Sequence, residues 1–112
     1  MHVTLSTDGV PTDLPSGVDL AAYRIVQESL TNVLKHAGTT TKAEVRLAHA
    51  DQMLEIEVTD RGEGVSTLPG AGQGLVGMRE RTALLGGTFE AGPRPGGGFT
   101  VLARLPLEPR SA

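Results

Sequence analysis

The segment from Asp19 to Ala37 runs without glycine or proline in a helical pattern, and it constrains the fold more than any other feature. Pro11, Pro15 and Gly17 precede it and Gly38 follows it. Asp19 is placed to cap a helix start, and Gly38 stands where a left-handed residue ends one. At about 100° per residue the helix sorts into two faces. Arg24, Glu28, Asn32 and Lys35 share one side, whereas Ala22, Val26, Leu30, Val33 and Ala37 gather on the other. The apolar side is the expected core face, and the polar side is either a solvated surface or a site.

The rest of the chain reads as short strands around two helical segments. His2–Ser6 alternates weakly before the turn pair Asp8-Gly9 and the extended loop from Val10 to Val18. Thr41–His49 and Gln52–Asp60 alternate apolar with polar residues, so they form a hairpin around Ala50-Asp51. Arg61 to Gln73 carries four glycines and a proline with little to bury, which suits a mobile surface segment. Leu75–Leu85 returns to helical spacing and stops at Gly86-Gly87; Thr88–Ala91 and Phe99–Leu107 read as strands around the turn Pro93–Gly98. The expectation is one α+β domain over 1–112, a two-layer sandwich with a mixed five-stranded sheet and helices on one face.

Composition excludes several functions. With no cysteine and three scattered histidines, there is neither a disulfide framework nor a zinc motif. A net charge of −3 and 3% aromatics argue against a nucleic-acid surface. No apolar run approaches the roughly 20 residues that span a bilayer, and no signal pattern opens the chain. A soluble cytoplasmic piece without direct membrane contact is expected, and a parent protein could still be anchored.

Three features carry chemistry. Glu28, Asn32 and Lys35 stand at i, i+4 and i+7 on one helix stripe, with His36 at its edge. A carboxylate can polarise a nucleophile, a carboxamide oxygen can hold magnesium, and an ammonium can neutralise phosphate. A plain solvated face would show the same polarity. Asp60-Arg61-Gly62-Glu63-Gly64 ends a strand, and Gly72-Gln73-Gly74-Leu75-Val76-Gly77-Met78-Arg79-Glu80-Arg81 opens a helix. Glycines admit a ligand close to the backbone, and a helix start presents unpaired N–H groups to phosphate. Either glycine segment alone also fits an ordinary turn or a tight helix start.

Their order resembles the superfamily of gyrase, chaperone and histidine-kinase ATPases. Arg24 to Ala37, reading Arg-Ile-Val-Gln-Glu-Ser-Leu-Thr-Asn-Val-Leu-Lys-His-Ala, is similar to the asparagine box of sensor kinases that partner nitrate-response-type regulators. Gly74 to Arg81 is similar to their second glycine box, and the resemblance covers nearly the whole chain. It implies the Bergerat ATP-binding fold of a histidine-kinase catalytic domain that takes ATP and Mg²⁺. Asn32 would ligate Mg²⁺, Lys35 and His36 would face the phosphates, and Asp60 would accept from the adenine amino group. Gly62 and Gly64 would line the base pocket, and Gly72, Gly74, Leu75 and Gly77 would hold the phosphates under a lid at about 61–73. Glu28 would be a catalytic residue or would orient the site. The implied partners are a separate dimerisation and histidine-phosphoacceptor domain and, indirectly, a response regulator. A free-standing anti-sigma-factor serine kinase and a nucleotide-dependent binding module are the competing readings. Related domains often carry a threonine after the last glycines, whereas this chain reads Gly98-Phe99-Thr100. The expectation is that Thr100 or a water supplies that polar contact to Asp60.

Overall fold

A computed structural model describes residues 2–10, 14, 16–37, 42–60, 71–95 and 97–107. The elements run β1 (His2–Asp8), α1 (Ser16–Ala37), β2 (Lys42–Ala50), β3 (Met53–Asp60), α2 (Ala71–Leu84), β4 (Thr88–Pro93) and β5 (Phe99–Pro106). The five strands form one sheet in the order β1-β2-β3-β5-β4. β1 pairs parallel with β2 through the α1 crossover, and every other pairing is antiparallel, so the sheet is mixed.

Alternation along the strands assigns the two faces. In β3, Leu54, Ile56, Val58 and Asp60 are buried while Met53, Glu55, Glu57 and Thr59 are half-buried. Leu54, Ile56 and Val58 meet Val18, Ala21, Ala22 and Ile25 of α1 and Met78 of α2 in the core, with Val101, Ala103 and Leu105 of β5. Both helices therefore cover one face, as the α+β expectation required. The open face is polar and carries surface ion pairs: Arg104 Nε donates to Glu55 at 3.0 Å, and Arg46 meets Glu57 at 3.4 Å.

The β2–β3 hairpin turns one residue later than expected. Ala50 pairs with Met53, and Asp51 and Gln52 form the loop with φ of 52° and 61°. Positive φ at both central residues makes a type I′ turn, whose twist matches that of the strands and outweighs the strain of two non-glycine residues in that region. α2 ends as expected: Gly86 has φ 79°, Gly86 N–H donates to Ala83 O at 2.9 Å, and Gly87 N–H donates to Thr82 O at 3.0 Å. This is a Schellman ending, and it needs Gly86. A Cβ on Gly87 would collide with the carbonyl oxygen of Arg104, so the next residue must also be glycine for β5 to pass.

Two helical expectations are corrected. α1 begins at Ser16, which places Asp19 in the first turn, where its charge meets the helix dipole, rather than at the cap. Its buried stripe is Val18, Ala21, Ala22, Ile25, Ser29 and Val33, turned roughly 70° from the expected face toward the polar stripe. The helix faces α2 as well as the sheet, so small side chains turn inward while Val26 and Leu30 touch the core from its edge. α2 begins at Ala71 rather than Leu75. Of the expected mobile segment 61–73, residues 61–70 lie outside the described ones and residues 71–73 are helical.

Candidate nucleotide site

The two helices run antiparallel, and this decides which residues share an end of the domain. A Cβ built on Gly17, near the start of α1, would lie 3.6 Å from Leu85 Cδ2, just past the end of α2. Midway, Ser29 Oγ approaches Met78 Sδ at 3.5 Å. The C-terminal turns of α1 therefore lie toward the start of α2. At the Leu85 end, a Cβ on Gly86 would meet Pro106 at the finish of β5, so the start of β5 belongs to the opposite end with the last residue of β3. One end of the domain thus gathers Asn32, Lys35 and His36 from α1, Asp60 from β3, and Gly72, Gly74, Leu75 and Gly77 from α2.

Burial separates this arrangement from an ordinary solvated face. Because the helix is rotated, Glu28 and Asn32 border the core and are half-buried, while Arg24 and Lys35 are exposed. Asp60 is 7% exposed and faces the helical layer. A carboxylate so placed is desolvated and demands polar partners. Ser29 and Thr82 are also fully buried; Thr82 Oγ1 donates to Met78 O at 2.8 Å, leaving the Ser29 contact to the sulfur as the weaker of the two. Ser29 escaped the sequence reading because it sits between the two helix faces as first drawn.

Within α2, the early start moves the free donors. The first four N–H groups of a helix have no partner inside it. Among the described residues these belong to Ala71, Gly72 and Gln73, whereas the Gly77 N–H lies inside the helix. A Cβ on Gly77 would meet nothing within 4 Å among the described residues, so they leave open space beside it. Leu75 is half-buried and packs against the core. His36 continues α1, and Gly62 and Gly64 lie outside the described residues.

Thr100 is placed differently from the expectation. Phe99 is the register partner of Asp60, and Thr100 that of Thr59. Val101, Ala103 and Leu105 are the buried residues of β5, so Phe99 shares their face and Thr100 points to the open one. A one-residue step reverses the face of a strand residue, and Thr100 therefore cannot reach the Asp60 carboxylate.

Comparison with known proteins follows the same lines. Residues 17–109 match the family described as histidine kinase-, DNA gyrase B- and HSP90-like ATPase, and the chain belongs to it. It is 34% identical over 108 residues to the sensor histidine kinase YxjM of Bacillus subtilis, covering 96% of this chain and 26% of that protein. The sensor histidine kinase NarS of Mycobacterium tuberculosis is 37% identical over 114 residues, covering 95% of this chain and 26% of that protein. The chain thus spans about a quarter of the length of these relatives. Among solved structures, the histidine kinase domain of the blue-light-activated kinase of Erythrobacter litoralis superposes with a TM-score of 0.73 at 24% identity, over 95% of this chain and 51% of that one. Full-length ShkA in complex with AMPPNP gives 0.76 at 21% identity, over 99% of this chain and 26% of that one. At such identities these two attest to the fold alone.

Proposed function

We propose that this domain binds Mg-ATP and presents its γ-phosphate to a histidine carried on a separate dimerisation and phosphoacceptor domain, from which a response regulator is in turn phosphorylated. The observation that carries the reading is the buried Asp60 carboxylate, at the same end of the domain as the half-buried Asn32 and the glycine-bearing start of α2. Asp60 accepts a hydrogen bond from the adenine amino group, which guanine lacks at that position. The helix-start N–H groups at 71–73 and the helix dipole favour phosphate, and exposed Lys35 adds a cation. A half-buried carboxamide oxygen on Asn32 beside Glu28 suits a hard cation whose other ligands are phosphate oxygens and water, so these residues fit magnesium. When bound, that ion would neutralise phosphate charge. Glu28, one turn before Asn32, is assigned a role in catalysis or in orienting the site.

Catalysis of this kind is mostly positioning and charge compensation. No helix among the described residues is long and apolar enough to cross a membrane, in keeping with a domain that works in the cytoplasm.

The test is phosphotransfer. With Mg-ATP alone the chain should incorporate little labelled phosphate, because His2 and His49 stand on β1 and β2 and His36 on α1, and none is presented on a flexible partner. With a histidine-bearing acceptor domain supplied in trans, label should appear there as acid-labile phosphohistidine. Acid-stable phosphoserine on a partner would favour the anti-sigma-factor kinase, and saturable ATP binding without transfer to any acceptor would favour a binding module.

A further inference from the structure

We propose that Phe99 forms the apolar wall of the base pocket, contacting the adenine ring beside the amino group that Asp60 reads. The inference rests on the nucleotide reading given above and deepens it at one residue.

The register supplies the geometry. Asp60, Phe99 and Pro93 are successive partners across β3, β5 and β4, so they form a row on the helical face at the end of the sheet. Directly opposite side chains on one face have Cβ atoms about 5 Å apart. A base donating to the Asp60 carboxylate adds about 3 Å of hydrogen bond to the reach of that side chain. This lifts the base edge to the height of a phenyl ring standing on the neighbouring strand. Phe99 is half-buried and packs against the margin of the core, so part of its ring is available.

The other aromatics are placed elsewhere. Phe89 lies on β4 with the Arg79 guanidinium 5.7 Å from its ring centre, and Tyr23 is exposed on α1. Phe99 is therefore the aromatic residue adjacent to the buried carboxylate. A phenyl ring neither donates nor accepts a conventional hydrogen bond, and with Thr100 on the opposite face β5 offers the base no side-chain polar group at this level. The base is then read by one charge-assisted hydrogen bond and by contact with a ring. Aromatic contact of this kind is tolerant of sequence context but substantial in energy.

The chain contains two phenylalanines, which makes the test simple. Uniform incorporation of a fluorinated phenylalanine gives two fluorine resonances, assigned by Phe99→Leu and Phe89→Leu. On titration with Mg-ATP the Phe99 resonance should move in step with binding followed by calorimetry, whereas that of Phe89 should stay in place. In parallel, Phe99→Leu should weaken ATP about fivefold or more, the lower end of what a base–aromatic contact supplies. Saturable ATP binding with an unmoved Phe99 resonance would overturn the proposal and leave the nucleotide site standing. No saturable binding in the unsubstituted protein would overturn the site itself, and this wall with it. The fluorine measurement needs only one of the two variants to fold, because the other resonance is then assigned by elimination.

Discussion

Replacing Gly77 by alanine separates the needs of the fold from those of the site. Gly77 lies within α2, where glycine is about 1 kcal/mol less favourable than alanine. Among the described residues the new Cβ would meet nothing within 4 Å, so none of them offsets the gain by a clash. For a domain a little above 100 residues, 1 kcal/mol is worth about 4 °C in melting temperature. The free variant should therefore melt about 4 °C higher. If the open space beside Gly77 is where the phosphates approach, the same methyl group obstructs the ligand. An inserted methyl costs about 2 kcal/mol, or about thirtyfold in affinity. At ATP one hundred times its dissociation constant, the original protein gains about 2.7 kcal/mol and the variant about 0.9 kcal/mol. Thermal melting followed by circular dichroism, with and without Mg-ATP, should then show the order reversing: the variant melts higher when free and the original protein higher when saturated. Equal ligand-induced shifts would refute a ligand at Gly77. A lower melting temperature for the free variant would refute the open space.

Gly87→Ala should do the opposite, destabilising the free protein by about 2 kcal/mol or more through collision with the Arg104 carbonyl, and denaturant titration would read it. Asp60→Ala should weaken ATP by about 1.5 to 3 kcal/mol, the loss of a hydrogen bond to a charged group; calorimetry showing unchanged affinity would refute the assignment of the base. Glu57→Gln should change stability by less than about 1 kcal/mol, because its partner Arg46 is 45% exposed and surface pairs of this kind contribute little. A loss of several kcal/mol on urea unfolding would contradict that reading of the open face.

Much of this was legible before the structure, and the exceptions have physical causes. Alternation located β2 and β3 to within a residue, because a strand with one buried face must keep period two. The turn pair was misplaced by one because Asp51-Gln52 lacks the glycine that normally advertises positive φ. The Schellman glycines announced the end of α2, but nothing announced its start at Ala71, since Gly72 and Gly74 disfavour a helix locally. The stripe of Glu28, Asn32 and Lys35 follows from helical spacing, but the half-burial of Glu28 and Asn32 depends on the position of α2, which no local pattern encodes. Thr100 was misassigned because hydrogen-bonding capacity was weighed before strand parity.

The position of β3 has a kinetic consequence. It lies in the middle of the sheet, paired on both sides, with Leu54 and Ile56 fully buried, whereas β1 is an outer strand exposed along its whole length. Amide protons of β1 should exchange with solvent through local fraying, and those of β3 only when the whole domain opens. Asp60 is thus moored to the last strand to let go, so breathing at the β1 margin can proceed many times over without its buried carboxylate ever leaving its place.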